Sequence, residues 1–304
     1  MCTKPVVINL IGEQPAPNLL PVYELQPQHV LLVATERTKE VAHRLKKLLK
    51  QKDYRGDILW VDAYNTSQAM SKIRKEIERY SDDNTCIIGN FTGGTKLMVL
   101  ALLRALSHRP RECVELCYFR TERTQGVLYF YDSVTFQQTE EVRVKSSLSL
   151  DDYLSAYLDE YHFTGFGSGS GKAFEETVAD VVERNVDELK IGLKKGGALD
   201  IDLIFRCGNQ VGIAEVKTGQ KARTKEGIDQ LNTAGGREFL GTYVKKFLIV
   251  DSSWDKLTNL KELAEARDIV LIELPSFRSH GKLSAEDEHK LINTIQSTLL
   301  CGGA

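Results

Sequence analysis

The chain has 304 residues, of which 42% are hydrophobic and 27% are charged, and its formal net charge at pH 7 is −2. These values are typical of a soluble globular protein with one or two domains. A net charge near zero excludes nucleic-acid binding through a global basic field, so any such binding needs a local patch. Because the six cysteines lack Cys-x-x-Cys spacing and the chain shows no signal peptide or apolar run of membrane length, we expect a reduced, cytoplasmic protein.

Short apolar strands alternate with helices in the first half of the chain. The pattern predicts strands at 5–12, 29–35, 57–61 and 85–89, and helices from about Thr38, from Ser67 to Tyr80 and from Thr95 onward. The stretch between the first two strands, EQPAPN, is predicted to be a loop, and the third helix is apolar nearly all round and predicted to be buried. This alternation predicts a parallel, doubly wound α/β sheet. The segments ECVELCYF and GVLYFYD and the region around Val142 are predicted as further strands at the sheet edge.

A helix opened by a capping box at Ser149 and ending near His162 precedes the sequence FGSGSG, a flexible linker by composition. This linker is the clearest domain boundary. We predict a first domain at 1–147, a helix and linker at 148–171, and a second domain at 172–304. The second domain is predicted to contain, in order, a helix (172–190), a hairpin, a helix (226–240), the strand KKFLIVD, a helix (256–267), the strand IVLIEL and a last amphipathic helix from residue 284.

The sequence TGGTK, from Thr92 to Lys96, lies where a predicted strand becomes a helix. Its two glycines let the backbone approach a phosphate, and the start of the helix presents unpaired N–H groups. The loops EQPAPN and TERTK also follow strands, so three polar loops meet at the carboxyl ends of the strands, where ligands of such sheets bind. This is an anion-site signal of modest specificity, since Gly-Gly after a strand is often only a turn. The Walker spacing is absent.

The stretch 199–219 reads LDIDLIFRCGNQVGIAEVKTG and predicts two strands joined at Gly208-Asn209, a dipeptide that favours a tight hairpin. If these two residues form the loop, Cys207 pairs with Gln210. The register of every other residue in the hairpin then follows by counting outward. Apolar residues fall on one face of the hairpin and charged residues on the other.

In that register Asp202 lies opposite Glu215, with Cβ atoms roughly 4.5–5.5 Å apart. Two carboxylates at this distance repel each other, and a bound divalent cation reverses the sign of the interaction. Lys217 falls on the same face, so the three side chains form a candidate site for metal-assisted phosphodiester hydrolysis. The alternative is a solvated sheet face on which Asp200 and Lys217 form a cross-strand ion pair.

This pattern resembles the PD-(D/E)xK nuclease superfamily, with Asp202 as the first acidic residue and the sequence Glu-Val-Lys at 215–217 as the second half. The family's helix pattern G-x-x-[FL]-E matches 171–175, which favours Glu175 over Glu176 as a further active-site carboxylate. A solvated helix glutamate is the alternative for Glu175. The order of helix, strands, helix and strand also matches the core topology of this superfamily.

The resemblance implies a Mg²⁺ or Mn²⁺ site, because these hard cations prefer oxygen ligands. The implied ligands are Asp202, Glu215 and the carbonyl of Val216, with Glu175 binding directly or through water. The implied role of Lys217 is to orient the attacking water and stabilise the transition state. The role of Asp200 stays open: a ligand through water, a partner of Lys217, or neither. A basic rim for phosphate contacts is predicted at Lys194, Lys195, Lys221, Arg223 and Lys225, and Gln230 is a further candidate for the same cleft.

The run VVINLIGEQPAPNLLPVYELQPQHVLLVATERTK together with NFTGGTKLM resembles the CARF domain of CRISPR-associated nucleases, in the subgroup that fuses it to a PD-(D/E)xK domain. In that family a CARF dimer binds a cyclic oligoadenylate, typically cyclic tetra-adenylate, across its two-fold axis. The resemblance therefore implies a homodimer. The implied ligand-binding residues are Glu13, Gln14, Pro17, Asn18, Thr35, Arg37, Thr38, Asn90, Thr92, Gly93, Gly94, Thr95 and Lys96.

Together the two resemblances predict an α/β protein with an N-terminal Rossmann-like CARF domain and a C-terminal restriction-endonuclease-like domain. The expected function is cyclic tetra-adenylate-activated, metal-dependent nuclease activity in type III CRISPR antiviral defence, with DNA as the first expected substrate and single-stranded RNA as an additional one to be tested. Two alternatives stay open: a constitutive restriction or repair nuclease, and a non-catalytic regulator gated by a ligand. A first domain that degrades its own activator is a further possibility, whereas the dispersed histidines argue against a histidine-based ribonuclease site.

Overall fold

The computed structural model describes residues 4–80, 85–122, 125–145 and 148–299. By their contacts the residues divide into two compact units: Met1–Leu148 with Ser155–Tyr157, and Ser149–Leu154 with Leu158–Ala304. Both units are mixed α/β structures, each built on one sheet, so the predicted fold class of two α/β domains is confirmed.

The first unit contains a seven-stranded sheet in the order β3-β2-β1-β4-β5-β6-β7. Strands β1 to β5 are parallel, and β6 and β7 add an antiparallel edge, so the doubly wound sheet with a hairpin at its edge is confirmed. The strands are β1 (Val6–Leu10), β2 (His29–Ala34), β3 (Gly56–Trp60), β4 (Ile87–Asn90), β5 (Val114–Glu122), β6 (Gln125–Asp132) and β7 (Gln138–Arg143). The central strands β1 and β2 are buried along nearly their whole length, as expected for strands covered on both faces.

The described helices of this unit are α1 (Ala16–Leu25), α2 (Lys39–Gln51), α3 (Thr66–Glu78) and α4 (Lys96–Leu106). The next helix, α5 (Leu150–Tyr157), is divided between the two units. Helix α1 was not predicted, and the predicted loop EQPAPN is partly wrong because the helix begins inside it. A proline is tolerated in the first turn of a helix, where its missing N–H would have no partner. Pro17 occupies such a position, and the leucines that follow it are buried.

The prediction of a fully buried α4 is wrong for one face. Met98, Ala101 and Leu102 are buried, but Leu97 is 37% exposed and Leu100 is 52% exposed. These two leucines are three residues apart and therefore lie on the same face of the helix. Helix α4 thus presents an apolar strip to solvent directly after the TGGTK loop.

The second unit contains a six-stranded sheet in the order β13-β12-β11-β10-β9-β8. Its strands are β8 (His162–Phe163), β9 (Glu188–Lys195), β10 (Leu199–Cys207), β11 (Gln210–Lys217), β12 (Lys245–Val250) and β13 (Ile269–Glu273), and its helices are α6 (Lys172–Glu183), α7 (Glu226–Ala234), α8 (Thr258–Ala266), α9 (Pro275–His280) and α10 (Ala285–Leu299). Strands β8 to β11 are antiparallel, and β11 to β13 are parallel.

Three predicted helix ends are wrong. Helix α6 ends at Glu183 instead of residue 190, and strand β9 follows it. Helix α7 ends at Ala234 instead of residue 240, and α5 ends at Tyr157 instead of His162. The Gly-Ser segment 166–171, read from composition as the interdomain linker, lies in the second unit, and Phe166 packs against its hydrophobic core.

The hairpin of β10 and β11 is covered on both faces. Phe205 and Ala214 pack into the core under helix α6, as the apolar face was predicted to do. The opposite face was predicted to be charged, but Ile204 and Ile213 on that face are fully buried. Helix α7 covers this face, because a Cβ on Gly227 would lie 3.6 Å from the Cβ of Glu215. The site carboxylates therefore lie between a sheet and a helix.

Within the described ranges, no helix has both the length and the apolar character needed to cross a membrane. The thiols of Cys86, Cys113 and Cys117 are free. Cys207 is disulfide-bonded.

Candidate functional site

The predicted hairpin register is confirmed where the two strands pair. Cys207 lies opposite Gln210, and Leu203 lies opposite Ala214. Gly208 has a φ of 55°, in the left-handed region that a tight turn of this kind requires. The register predicted from the turn therefore holds from Cys207 to Leu203.

Asp202 lies just outside the paired residues of the hairpin, and its side chain connects β10 to β11. Its Oδ2 accepts a hydrogen bond of 2.7 Å from the Val216 N–H. The Lys217 ammonium lies 3.5 Å from the same oxygen and also contacts Oε2 of Glu215. Asp202, Glu215 and Lys217 thus form one cluster, which we call the acidic cluster.

The alternative of a solvated face does not fit this cluster, because Glu215 is 0% exposed. Nor does Lys217 pair with Asp200, whose carboxylate lies 2.9 Å from the Lys194 ammonium. Of the three roles left open for Asp200, the ion pair with Lys217 is wrong. Lys194, predicted as part of the basic rim, is the residue that pairs with it.

Glu215 is a buried acid whose two oxygens both lack a hydrogen bond of acceptable geometry among the described residues, although the Lys217 ammonium is adjacent. Burial, and then the charge of Asp202, raise the pKa of Glu215 well above its ordinary value. Burial alone would lower the pKa of Lys217, but Glu215 and Asp202 outweigh it and raise that pKa. A buried carboxylate without hydrogen bonds is costly unless a cation binds it.

Glu175 lies on the first turn of α6. Burial, followed by the charge of Asp202, raises the pKa of Glu175 to about 7. This carboxyl therefore interacts electrostatically with the acidic cluster. Its neighbour Glu176 lies 3.5 Å from Lys172 in an i, i+4 ion pair. The charge of Asp202 therefore acts on Glu175, whereas Glu176 is paired with Lys172.

The acidic cluster fits a hard divalent cation only with help from the main chain or water. Across the described ranges, no three His, Cys, Asp or Glu side chains are grouped closely enough to hold a metal ion on their own. Asp202 and Glu215 supply two carboxylates, and the carbonyl of Val216, the residue directly after Glu215, is a candidate third donor. Mg²⁺ is commonly held by only one or two carboxylates plus waters, so this donor set is sufficient.

A short 3₁₀ helix, Lys221–Arg223, follows β11 and carries part of the predicted basic rim. Lys221 lies 3.4 Å from Glu226, and Lys225 lies 3.7 Å from Asp229, so both belong to surface ion pairs. Such exposed pairs are weak and can be exchanged for a phosphate partner. The predicted candidate Gln230 has a buried Oε1 without a hydrogen bond and lies one helical turn after Gly227, which contacts the cluster.

A separate cavity of about 800 Å³ lies in the first unit at the carboxyl ends of its parallel strands. The predicted ligand residues that line it are Glu13, Thr35, Arg37, Thr38, Gly94 and Thr95. The side chains of Arg37 and Glu13 form an ion pair at the cavity. The Thr95 side chain caps α4 by accepting the Met98 N–H at 3.2 Å. Three loops that are far apart in sequence thus converge, as predicted.

Several other predicted ligand residues are buried parts of the scaffold. The Asn90 amide donates to Asn9 Oδ1 at 2.9 Å and to the Pro17 carbonyl at 3.1 Å, and Asn90 Oδ1 accepts from the Thr92 hydroxyl at 2.6 Å. The carbonyl of Asn18 accepts from Asn9 at 3.0 Å. This network fixes the loops against one another.

The remaining predicted ligand residues lie close to the cavity without lining it. Gln14 accepts a hydrogen bond of 2.7 Å from the Tyr157 hydroxyl. A Cβ on Gly93 would lie 2.2 Å from the Leu10 carbonyl oxygen, so the close approach of β1 requires glycine there. Lys96 is exposed at the start of α4.

Sequence reasoning missed one side of the cavity. It consists of the end of β3, the loop between β3 and α3, and the first turns of α3, with the lining residues Trp60, Asp62, Ala63, Tyr64, Gln68 and Lys72. The segment WVDAYN carries no glycine motif, so nothing in it marked a ligand loop. The available signal was its position, because it follows a parallel strand at the same edge of the sheet as the three predicted loops.

Comparison with known proteins gives one match to a family model, described as the Card1 CARF domain, over residues 6–153. A search of curated proteins finds no match. Similar solved structures include Can2 from Sulfobacillus thermosulfidooxidans in complex with cyclic tetra-adenylate. It has 16% sequence identity and a TM-score of 0.71, and the match covers 95% of this chain and 98% of that one.

Protein VC1899 from Vibrio cholerae matches with 12% identity and a TM-score of 0.76, over 99% of this chain and 100% of that one. A type III CRISPR defence DNA nuclease activated by cyclic oligoadenylate matches with 14% identity and a TM-score of 0.64. That match covers 82% of this chain but only 46% of the other. At these identities the structural matches establish the shared fold.

Proposed function

Because residues 6–153 match the Card1 CARF domain and the whole chain shares the fold of Can2, we propose that this protein is a cyclic oligoadenylate-regulated, metal-dependent nuclease. The first unit binds the activator, with cyclic tetra-adenylate as the expected ligand because the similar Can2 structure contains it. The second unit hydrolyses phosphodiester bonds at the acidic cluster, in the manner of PD-(D/E)xK enzymes. The expected context is type III CRISPR defence.

One observation supports the nuclease assignment most strongly. Glu215 is fully buried, both its oxygens lack a well-formed hydrogen bond, and it lies beside a second carboxylate and one lysine. In a purely structural role this arrangement is costly, because the fully buried Glu215 shares the single Lys217 ammonium with Asp202. A divalent cation supplied from solution removes that cost, so the arrangement fits a metal-binding function.

The proposed roles follow from the contacts. Asp202, Glu215 and the Val216 carbonyl would hold Mn²⁺ or Mg²⁺, and the bound cation would supply an activated water and offset charge at the phosphate. The Lys217 ammonium lies within reach of both carboxylates, and there it orients the attacking water and stabilises the negative charge of the transition state. The carboxyl of Glu175, with a pKa of about 7, exchanges protons near neutral pH at the edge of the cluster.

We infer a homodimer from the exposed face of α4. Leu97 and Leu100 are partly exposed large apolar side chains on one helix face, and they directly follow the loop that contributes Gly94 and Thr95 to the cavity. A second copy packed on this face brings two cavities together around a two-fold axis. A cyclic tetranucleotide has matching symmetry and can bind both copies at once.

The expected substrate is DNA, with single-stranded RNA as a possible second substrate that the assay must include. The direct test is cleavage of both in the presence of Mn²⁺, with and without cyclic tetra-adenylate. Cleavage without any activator would indicate a constitutive nuclease instead. Activator binding without metal binding would indicate a non-catalytic regulator.

Metal binding should strengthen with rising pH. Protonation competes with metal for a carboxylate, and the pKa of Glu175 is raised to about 7 while that of Glu215 is raised well above its ordinary value. Glu175 therefore carries a proton at pH 6 that metal binding beside it must release, and the raised pKa of Glu215 acts in the same direction. We expect calorimetry with Mn²⁺ to give a lower affinity at pH 6 than at pH 8, with proton release visible in buffers of different ionisation enthalpy.

In the Glu175→Gln variant, the component of this pH dependence centred near pH 7 should be lost. Glu176→Gln is the matched control, because Glu176 is the adjacent glutamate paired with Lys172, and it should behave as the wild type does. Equal affinities at pH 6 and pH 8 in the wild-type protein would show that these carboxyls do not hold the metal.

Removal of the lysine at the phosphate-binding loop should weaken activator binding. Lys96 is an exposed cation at the N-terminus of α4, where a charge-assisted hydrogen bond to a phosphate contributes about 1.5–3 kcal/mol. We therefore expect Lys96→Ala to raise the Kd for cyclic tetra-adenylate about 10-fold or more. Lys47→Ala removes an exposed lysine from α2, away from the cavity lining, and should leave the Kd unchanged. The same Kd in both variants would remove Lys96 from the site.

A further inference from the structure

The cavity of the first unit is larger than an anion site needs. A volume of about 800 Å³ lies within the range of pockets that enclose whole small-molecule ligands. The predicted loops supply the glycines, threonines and charged groups on one side. The side formed by the β3–α3 loop has a different chemistry, because it includes two aromatic side chains.

Trp60 and Tyr64 are the aromatic residues of this side, and both are accessible. Trp60 is 37% exposed and Tyr64 is 82% exposed. The Trp60 ring packs against the His43 ring at a centroid separation of 5.6 Å. One neighbour of the Trp60 ring is therefore another side chain of the same unit. Large aromatic side chains are usually more buried than this when they only fill a core.

The loop that carries these residues is held by hydrogen bonds. The Lys72 ammonium donates to the Trp60 carbonyl at 2.8 Å, and the Asp62 carboxylate accepts from the Tyr64 N–H at 2.9 Å. The Gln68 side chain accepts from the Asp62 N–H at 3.1 Å. A loop fixed in this way presents its side chains without a large ordering cost upon binding.

The same loop is joined to the phosphate side of the cavity. The Thr95 hydroxyl donates to the Ala63 carbonyl at 3.2 Å, so the residue before Tyr64 contacts the residue after Gly94. A nucleotide whose phosphate lies at Gly94 and Thr95 therefore has aromatic side chains within the same cavity. Stacking on aromatic rings is a general way in which proteins hold unpaired bases.

We propose that Trp60 and Tyr64 form a purine-base subsite, against which an adenine of the cyclic oligoadenylate stacks while its phosphate lies at the Gly94–Thr95 loop. This inference rests on the proposed function of the first unit, which it deepens by assigning the residues that contact the base. The other use of exposed aromatic residues, packing against a second copy of the chain, is distinguished by the experiment.

Tryptophan fluorescence tests the subsite directly, because the chain has only two tryptophans. Trp254 is fully buried in the second unit, where its Nε1 donates to the Ala222 carbonyl at 2.7 Å. Stacking of a base on Trp60 should quench the exposed component of the emission when cyclic tetra-adenylate is added. In Trp60→Phe the quenching should disappear, and the Kd from calorimetry should stay within about threefold of the wild-type value because a stacking ring remains.

Tyr64→Ala is the decisive variant for affinity, because Tyr64 is too exposed to support the fold. Base stacking contributes about 1–3 kcal/mol per base, so we expect the Kd for cyclic tetra-adenylate to rise at least about fivefold. Phe136→Ala removes another exposed aromatic residue of the first unit, 55% exposed in the turn between β6 and β7, and should leave the Kd unchanged. Sedimentation should show the same assembly state for both variants.

The outcomes are distinct. If the wild-type protein binds cyclic tetra-adenylate while Tyr64→Ala keeps its Kd and Trp60 is not quenched, the subsite is refuted and the sensor function stands. If affinity falls only together with dissociation of the assembly, the aromatic residues belong to an interface and the subsite is refuted. If the wild-type protein binds no cyclic oligoadenylate by calorimetry, the proposed function of the first unit itself fails.

Discussion

Replacement of Glu215 by glutamine should reduce metal-dependent nucleic-acid cleavage at least about 100-fold while leaving cyclic tetra-adenylate binding unchanged. The amide keeps the volume of the side chain but removes the charge that binds the cation. Lys217→Met should have an effect of similar size, because loss of one group that stabilises transition-state charge costs about 10²–10³ in kcat. Cleavage is measured on plasmid DNA, and ligand binding by calorimetry.

Glu183→Gln is the control for this experiment. Glu183 is an exposed glutamate at the end of α6, so its loss should change neither cleavage nor binding. Thermal melting establishes that each variant is folded. Full cleavage activity in folded Glu215→Gln would show that the chemistry takes place elsewhere.

The second large effect is expected at the exposed face of α4. Leu100→Glu should dissociate the dimer and abolish high-affinity ligand binding, because the ligand then meets only half of its site. In a two-fold interface each leucine is buried twice, and burial of one leucine side chain contributes about 1.5–3 kcal/mol. We therefore expect the dimer dissociation constant to rise by about two to four orders of magnitude. Analytical ultracentrifugation measures this change.

Val134→Glu provides the matched control, because Val134 is an exposed aliphatic residue of the same unit, 62% exposed between β6 and β7. That variant should remain dimeric and bind ligand normally. If Leu100→Glu also sediments as a dimer, the face of α4 is not the interface and our account of ligand binding by two copies is wrong.

The hairpin shows how far local sequence determines a site. Gly208 marks the turn, and a fixed two-residue loop determines the register from Cys207 outward to Leu203. The grouping of Asp202 with Glu215 follows from period-two alternation alone. The burial of Glu215 could not be predicted in this way, because it depends on helix α7, whose position is set by contacts far along the chain.

The missed elements have equally specific causes. Strand β9, with the sequence ELKIGLKK, was predicted as the end of the preceding helix because its polar residues resemble those of that helix. The alternation of Leu189 and Leu193 with charged residues was the signal for a strand. Helix α1 contains Pro17 and Pro21, which indicate a turn in the absence of tertiary contacts. The aromatic side of the ligand cavity was missed because a binding role for Trp60 depends on the loops that lie beside it.

Our central claim is that a ligand in the first unit controls hydrolysis at the acidic cluster of the second. The most direct measurement follows conversion of supercoiled plasmid in Mn²⁺ over a titration of cyclic tetra-adenylate, with cyclic tri- and hexa-adenylate as comparisons. We expect conversion that saturates with cyclic tetra-adenylate and is absent without it or with EDTA. Conversion at an equal rate with no cyclic nucleotide, or none under any condition with folded, ligand-bound protein, would contradict this account.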